Sequence, residues 1–128
     1  MSYTIKNLNA VEDSAVKYGY SETQEARFPR EDLDAENTGL AYIVLRPGKQ
    51  QPFGHRHEQA EEIYVVLSGS GRLKLDEEIV EIGPMDAIRM APKVTRSLEA
   101  GDEGLEVLAF GPLRTDDRGE MVTDWWQD

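Results

Sequence analysis

The feature that most restricts how this chain can fold is its punctuation. From Leu40 onward, short apolar runs are broken by turn signals about every 8 to 12 residues, the spacing of an all-β sandwich or barrel. Leu40 to Leu45 reads as a strand closed by the turn pair Pro47-Gly48. Glu62 to Leu67 is the strongest strand signal. Gly69-Ser70-Gly71 predicts a hairpin turn, with glycine supplying the positive φ. Arg72-Leu73-Lys74-Leu75-Asp76 alternates strictly, so one face is buried and one solvated. Ile79 to Ile82, Ala87 to Met90, Val94 to Glu99 and Leu105 to Phe110 read as further strands, with Gly83-Pro84 and Ala100-Gly101-Asp102 as breaks.

The segment before Leu40 is polar and weakly patterned. It predicts mostly irregular structure, with a short strand at Tyr3 to Leu8 and one short helix at Pro29, a residue suited to a first helical turn. Phe28 and Leu33 are its expected anchors to the main body, and the tail from Gly111, ending in Trp125-Trp126, is expected to be loop-like and to pack back on the domain. With 128 residues and no repeat or linker, the chain reads as a single domain, 1–128, with its barrel core at about 40–111.

Composition bounds the partners. A formal net charge of −11 excludes the clustered basic surface that nucleic acid or an anionic membrane requires. There is no cysteine, hence no disulfide, thiol nucleophile or thiolate metal site. The N-terminus lacks the apolar core of a signal peptide, and no apolar run approaches ~18 residues, so the expected setting is the cytoplasm. The acidic residues Asp13, Glu22, Glu31, Asp32, Asp116 and Asp117 are expected to form a solvated face.

The two histidines of the chain, His55 and His57, are two residues apart. In extended backbone they point to the same side, so their imidazoles converge. Glu61 and Glu62 follow closely. Two imidazoles and one carboxylate make a divalent metal site with open positions. With both histidines committed to one spot, a Ser-His-Asp triad lacks its base. No glycine-rich phosphate loop is present either; Gly69-Ser70-Gly71 does not join a strand to a helix.

These residues resemble the first signature motif of the cupin superfamily: a glycine, His-x-His, a short spacer, Glu, six residues and a Gly. Here His55-x-His57-x4-Glu62-x6-Gly69 fits, with the leading glycine, Gly48, off by one. Met85 to Arg96 is similar to the second motif, which carries a Gly, a Pro-x-Gly turn and a third His. Met85 stands for the Gly, Ala91 for the Pro, Lys93 for the turn Gly and Arg96 for the third His. The resemblance spans about Leu40 to Gly111 and implies an all-β double-stranded β-helix, a jelly-roll barrel with a metal site in its mouth. Its spacing selects Glu62 over Glu61 as the ligand.

The departure at Arg96 matters, because arginine stays protonated and cannot ligate a metal. At most His55, His57 and Glu62 remain, which still suffices for Fe(II), Mn(II), Ni(II) or Zn(II). Three positions for Arg96 are open: swung outward onto a carboxylate such as Glu99, pointing inward to hold a carboxylate or phosphate ligand that also touches the metal, or paired directly with Glu62 in a site that has lost its metal. Tyr64 and Tyr42 are candidate hydroxyl donors to the cavity, and Met85 and Met90 are expected to fill the core. If Glu62 points inward, Ile63, Val65 and Leu67 form an apolar outer face that must be covered, which points to a homodimer. The resemblance implies a metal-dependent enzyme acting on a small anionic or oxygen-rich molecule, or a small-molecule binding or sensing barrel that has lost the metal. It does not choose a reaction.

Overall fold

A computed structural model describes residues 2–113, 117 and 119–126. Among these the fold is carried by β1 (Gln24–Arg27), β2 (Thr38–Leu45), β3 (Phe53–Arg56), β4 (Glu62–Leu75), β5 (Glu78–Ile82), β6 (Ala87–Met90), β7 (Arg96–Pro112) and β8 (Glu120–Thr123), with short helices α1 (Ser14–Lys17) and α2 (Arg30–Leu33). The pairings of these strands are antiparallel.

Two long strands, β4 and β7, wrap round each other and curl the sheet into a barrel. The first half of β4 pairs with β6 and with the second half of β7; its second half pairs with β5 and with the first half of β7. Register brings Val66 opposite Val107 and Leu73 opposite Leu98. These side chains, with Leu45, Tyr64, Met90 and Leu105, form the buried core. Each fully buried aliphatic side chain contributes roughly 1.5–3 kcal/mol relative to exposure.

The bend in both strands explains one difference from the sequence expectation. Gly69-Ser70-Gly71 is no hairpin turn but lies inside continuous β4, at a register irregularity opposite β7. Gly69 does adopt positive φ, at +79°, and a Cβ on either Gly69 or Gly71 would stand 2.1 Å from a β7 carbonyl oxygen. The glycines permit a close backbone crossing, not a reversal. Ala100-Gly101-Asp102 likewise lies within β7. The reversal occurs later, at Asp76 and Glu77, with Asp76 at φ +54°.

The N-terminal segment is more ordered than expected. Tyr3 to Leu8 is not a strand, but Gln24–Arg27 is, paired with β2. Asp13 fastens α1 to it, accepting from the backbone N–H groups of Ala15 at 3.0 Å and Ala26 at 2.9 Å. Val11, Ala15 and Ala26 are the buried anchors, whereas Phe28 is 54% exposed. α2 begins right after Pro29, as anticipated. The tail is not merely loop-like: β8 pairs with β3, and Trp126 Nε1 donates to Ser97 Oγ at 2.9 Å. Trp125 lies against Gly54, where a Cβ would approach its Cγ to 2.8 Å. Met90 is core, but Met85 is 79% exposed, because it occupies a turn at φ +71° rather than a strand. A backbone angle of this kind favours glycine.

The two faces of β4 separate as predicted. Tyr64 and Val66 are buried, while Ile63 and Leu67 are each 39% exposed on the outside. Among the described residues, no helix is long and apolar enough to cross a membrane.

Candidate metal centre

β3 delivers the histidines. His55 lies in the strand and His57 just after it, and alternation turns Arg56 the other way, onto Glu120 of β8 at 2.9 and 3.1 Å. The two imidazole rings stand edge to face, with centroids 5.3 Å apart. Glu62, the first residue of β4, enters from the facing strand. Its Oε1 is 3.1 Å from His55 Nε2 and 3.6 Å from His57 Nε2. One ligand atom from each of the three residues lies within 4.8 Å of the other two. Glu61 is outside, exposed and paired with Arg89 at 2.9 Å.

Arg96, the first residue of β7, points inward and is paired with His55 in the β3–β7 register. Its side chain is 0% exposed. Nη1 donates to the carbonyls of Pro92 at 3.1 Å and Val94 at 2.7 Å, so the loop between β6 and β7 solvates the guanidinium with its own backbone. Nη2 lies 3.2 Å from Glu62 Oε1 without hydrogen-bond alignment, and among the described residues Nε has no hydrogen-bond partner. Arg96 therefore lies beside Glu62 and is not swung outward onto Glu99. Glu99 is bonded instead to Arg72 and Gln50, both at 2.6 Å.

Asp117 was expected on a solvated face but is buried behind His57. Its carboxylate accepts from the backbone N–H groups of Glu58 at 3.1 Å, Gln59 at 2.8 Å and Ala60 at 2.6 Å, and lies 3.3 Å from His57 Nδ1. It therefore folds the loop after β3 and fixes the ring of His57. Its spacing of 60 residues from His57 in the chain gives no sequence signal. Its neighbour Asp116 lies outside the described residues. Asp13 caps α1 instead of facing solvent freely, and Glu22, Glu31 and Asp32 are exposed.

The electrostatics follow. Burial acts to raise the Glu62 carboxyl, but His55, then His57 and the charge of Arg96 overcome it and bring it down to about 2. The hydrogen bond to Glu62 raises His57 above its ordinary value; burial opposes this and Asp117 supports it. For Asp117, burial is outweighed by the three backbone donors and His57, which hold it well below the usual carboxylate range. Tyr64, fully buried beneath Glu62, is pushed far above the usual phenol range by burial and the Glu62 charge, against the contact with Arg96.

The structure does not bring Tyr42 to this site. Tyr42 lies on the outer face of β2 and donates to Glu106, which also accepts from Ser68 at 3.1 Å. Nor does Arg96 or Tyr64 line the mouth cavity, whose lining includes His57, Glu62, Asp117 and Ala60.

The donor set suits a divalent cation. Donors adjacent in the shell of one ion, each about 2.0–2.2 Å from it, stand roughly 3.0–3.5 Å apart. The spacings at Glu62 Oε1 lie near this range, and the Asp117–His57 pair is the carboxylate–histidine support that such ligands use. Arg96 adds a fixed positive charge beside this group.

This barrel with a His-His-Glu group at its mouth places the chain in a known class. The family model described as "Cupin domain" matches residues 41–111, more than half of the chain, and the chain belongs to the cupin family. An uncharacterised protein of Methanocaldococcus jannaschii is 38% identical over 55 residues, 42% of this chain and 44% of that protein, so the match spans less than half of that relative. A cupin protein from Bacteroides fragilis has the same fold over 100% of this chain and 98% of its own, at 23% identity and a TM-score of 0.72. The polyketide cyclase RemF from Streptomyces resistomycificus matches over 98% and 87%, at 20% identity and a TM-score of 0.73.

Proposed function

We propose that this cupin binds one divalent metal ion through His55, His57 and Glu62 and acts as an enzyme on a small molecule admitted at the barrel mouth. The observation that carries the reading is the shared Glu62 Oε1, set within 3.1 and 3.6 Å of two imidazole nitrogens, with one imidazole held from behind by Asp117. Fe, Mn, Ni and Zn all accept such a ligand set. When bound, the ion supplies Lewis-acid or redox chemistry. The chain's own contribution is positioning. Asp117 holds His57 with Nε2 facing inward, Arg96 keeps Glu62 ionised and oriented, and the small residues of the mouth leave room for a substrate. Arg96 acts through Glu62 in this reading and not on the substrate.

The test is elemental mass spectrometry of the purified protein beside His55→Ala, His57→Ala. Near-stoichiometric metal in the wild type alone is expected. No metal after incubation with Fe, Mn, Ni and Zn overturns the reading. Loss of turnover in His57→Ala is the matching expectation once a substrate is known.

One observation favours a second reading. The buried Arg96 guanidinium already balances Glu62. A barrel completed by that pair would be a binding module, keeping its ligand affinity in chelator-treated protein.

We also propose a homodimer through the outer face of β4 and β7, where Ile63, Leu67 and Phe110 are partly exposed and Ile63 is paired with Phe110. Leu67→Glu is expected to yield monomer in analytical ultracentrifugation; a concentration-independent monomer in the wild type removes the idea.

A further inference from the structure

The mouth cavity has a built asymmetry. It encloses about 290 Å³, at the small end of ligand sites. Of its lining, His57, Glu62 and Asp117 are buried or partly buried and form its inner part, while Phe28 and Arg30 are exposed and form its lip. Most of the remaining lining is small or apolar, with Ala41, Ala109 and Gly111 beside Leu40, Pro112 and Leu113. The wall glycines are needed for closeness: a Cβ on Gly39 would lie 3.2 Å from the Gly111 carbonyl oxygen, and one on Gly111 would lie 3.0 Å from that of Glu61. The walls are therefore mostly apolar, and the one further charged group of the described lining is Asp117, which lies beside His57.

The lip comes from the N-terminal segment, outside the matched residues 41–111. Phe28 presents an aromatic ring there that is 54% exposed. Arg30 is exposed and, among the described residues, its side chain has no hydrogen-bond or ion-pair partner. That is unusual in this chain. Its 25 acidic residues outnumber 14 basic ones, and the exposed arginines 56 and 89 are each paired with a glutamate. An unpartnered guanidinium in the lining of a mostly apolar cavity, away from the carboxylates of Glu62 and Asp117, offers an anion a place at Arg30. A dianion meets more repulsion from Glu62 and from the net charge of −11 than a monoanion does.

From this juxtaposition we propose that the cavity binds small monocarboxylates with an apolar or aromatic body. The carboxylate rests on Arg30, the body lies between Phe28 and the alanine and glycine walls, and the far end meets His57 and Glu62. This deepens the metal-enzyme reading by naming its substrate class, and it rests on that reading only for what happens at the inner end.

Benzoate, its neutral counterpart benzamide, and phenyl phosphate are suitable probes. Their affinities would be measured by calorimetry or NMR titration, in metal-loaded and in chelator-treated protein. Wild type is expected to bind benzoate at least tenfold more tightly than benzamide. Arg30→Gln should erase that preference and leave benzamide unchanged, and Arg30→Lys should restore part of it. Phe28→Ala should weaken acid and amide together. Equal binding of acid and amide by the wild type, a preference that survives Arg30→Gln, tighter binding of phenyl phosphate, or no binding of any probe at millimolar concentration would each overturn the proposal. The two readings fail separately. Stoichiometric metal without acid preference sinks the carboxylate site alone. An Arg30-dependent preference in protein that takes up no metal upholds the site and sinks the metal enzyme.

Discussion

Strand β4 runs from one kind of interior to another. At its start, Glu62, a strongly acidic carboxyl, stands with two imidazoles and the buried guanidinium of Arg96. Beyond the Gly69–Gly71 crossing, Leu73 packs among Leu98, Ile82 and other apolar side chains, and no charge is buried with them. Both ends belong to one barrel and are closed by the same partner, β7. The apolar end has every reason to be rigid and no chemistry to perform. The polar end buries Arg96 with two of its nitrogens lacking hydrogen-bond partners among the described residues. A chain under pressure for stability alone would fill that end as it fills the other. The difference teaches that the fold's free energy is concentrated away from the site, which leaves the mouth free to carry unfavourable burial.

The largest effect is expected at the apolar end. Leu73→Ala removes a side chain with 0% exposure, opposite the equally buried Leu98. Neighbours locked on both sides cannot collapse into the gap, so the loss falls in the upper part of the range of about 2–5 kcal/mol for such changes. Denaturant unfolding would measure it. Metal uptake by the folded fraction should be unchanged; a parallel loss of metal would show that the two ends are not separable.

Next comes the cost of unpairing the mouth. Glu62→Ala leaves Arg96 buried against two carbonyls without its counter-charge. Unpairing a buried ion pair costs about 3–5 kcal/mol, and the partial exposure of Glu62 places this case at the lower end. Metal uptake should vanish as well. In Glu62→Ala, Arg96→Met most of the stability should return while metal stays lost. If the single variant is as stable as wild type, Arg96 has another partner and the picture of a costly mouth is wrong.

These contrasts also show what was legible in the chain beforehand. The apolar end was readable because alternation over Arg72 to Asp76 states its own inside and outside. His55, His57 and Glu62 were readable because two short spacings on strands bring them together. The hairpin at Gly69-Ser70-Gly71 was misread because glycine marks both a reversal and a close crossing, and only the partner strand distinguishes them. Asp117 was opaque for another reason: its value lies in three backbone N–H groups of a distant loop, which no side-chain pattern announces. Arg96 was legible as a departure, but its direction depended on carbonyls of Pro92 and Val94 that only the folded loop presents. Tyr42 was placed near the cavity on residue type alone. Strand parity puts it outside, because Ala41 and Leu45 of β2 pack on the core.

Asp117 supplies a smaller effect that sharpens the boundary of the site. Asp117→Ala frees the His57 ring and loosens the loop at Glu58 to Ala60. Support of this kind is worth roughly 10–100-fold in metal affinity. Competition with a chelator of known affinity would measure it. Asp117→Asn keeps one acceptor oxygen for the loop and should fall between. An affinity within twofold of wild type in Asp117→Ala would mean that His57 is oriented by the strand alone.

The smallest effect is expected on the outer face, at Tyr42. Tyr42→Phe removes the hydrogen bond to Glu106, while Ser68 and solvent still satisfy that carboxylate, so the loss is about 1 kcal/mol with no change in metal uptake. Its pH dependence has a definite sign. Burial, then the hydrogen bond and charge of Glu106, push the Tyr42 hydroxyl up to about 12, with Glu25 adding to this and Arg27 opposing it. A raised folded-state value means that the protonated phenol is favoured by folding. Its contribution is complete below the unfolded-state value of about 10 and disappears as the pH rises towards 12. The stability gap between wild type and Tyr42→Phe should therefore be constant through neutral pH and close between about pH 10 and 12. A gap that instead closes near neutral pH would point to a coupling between this face and the histidines of the mouth, and the separation of outer wall from site would have to be given up.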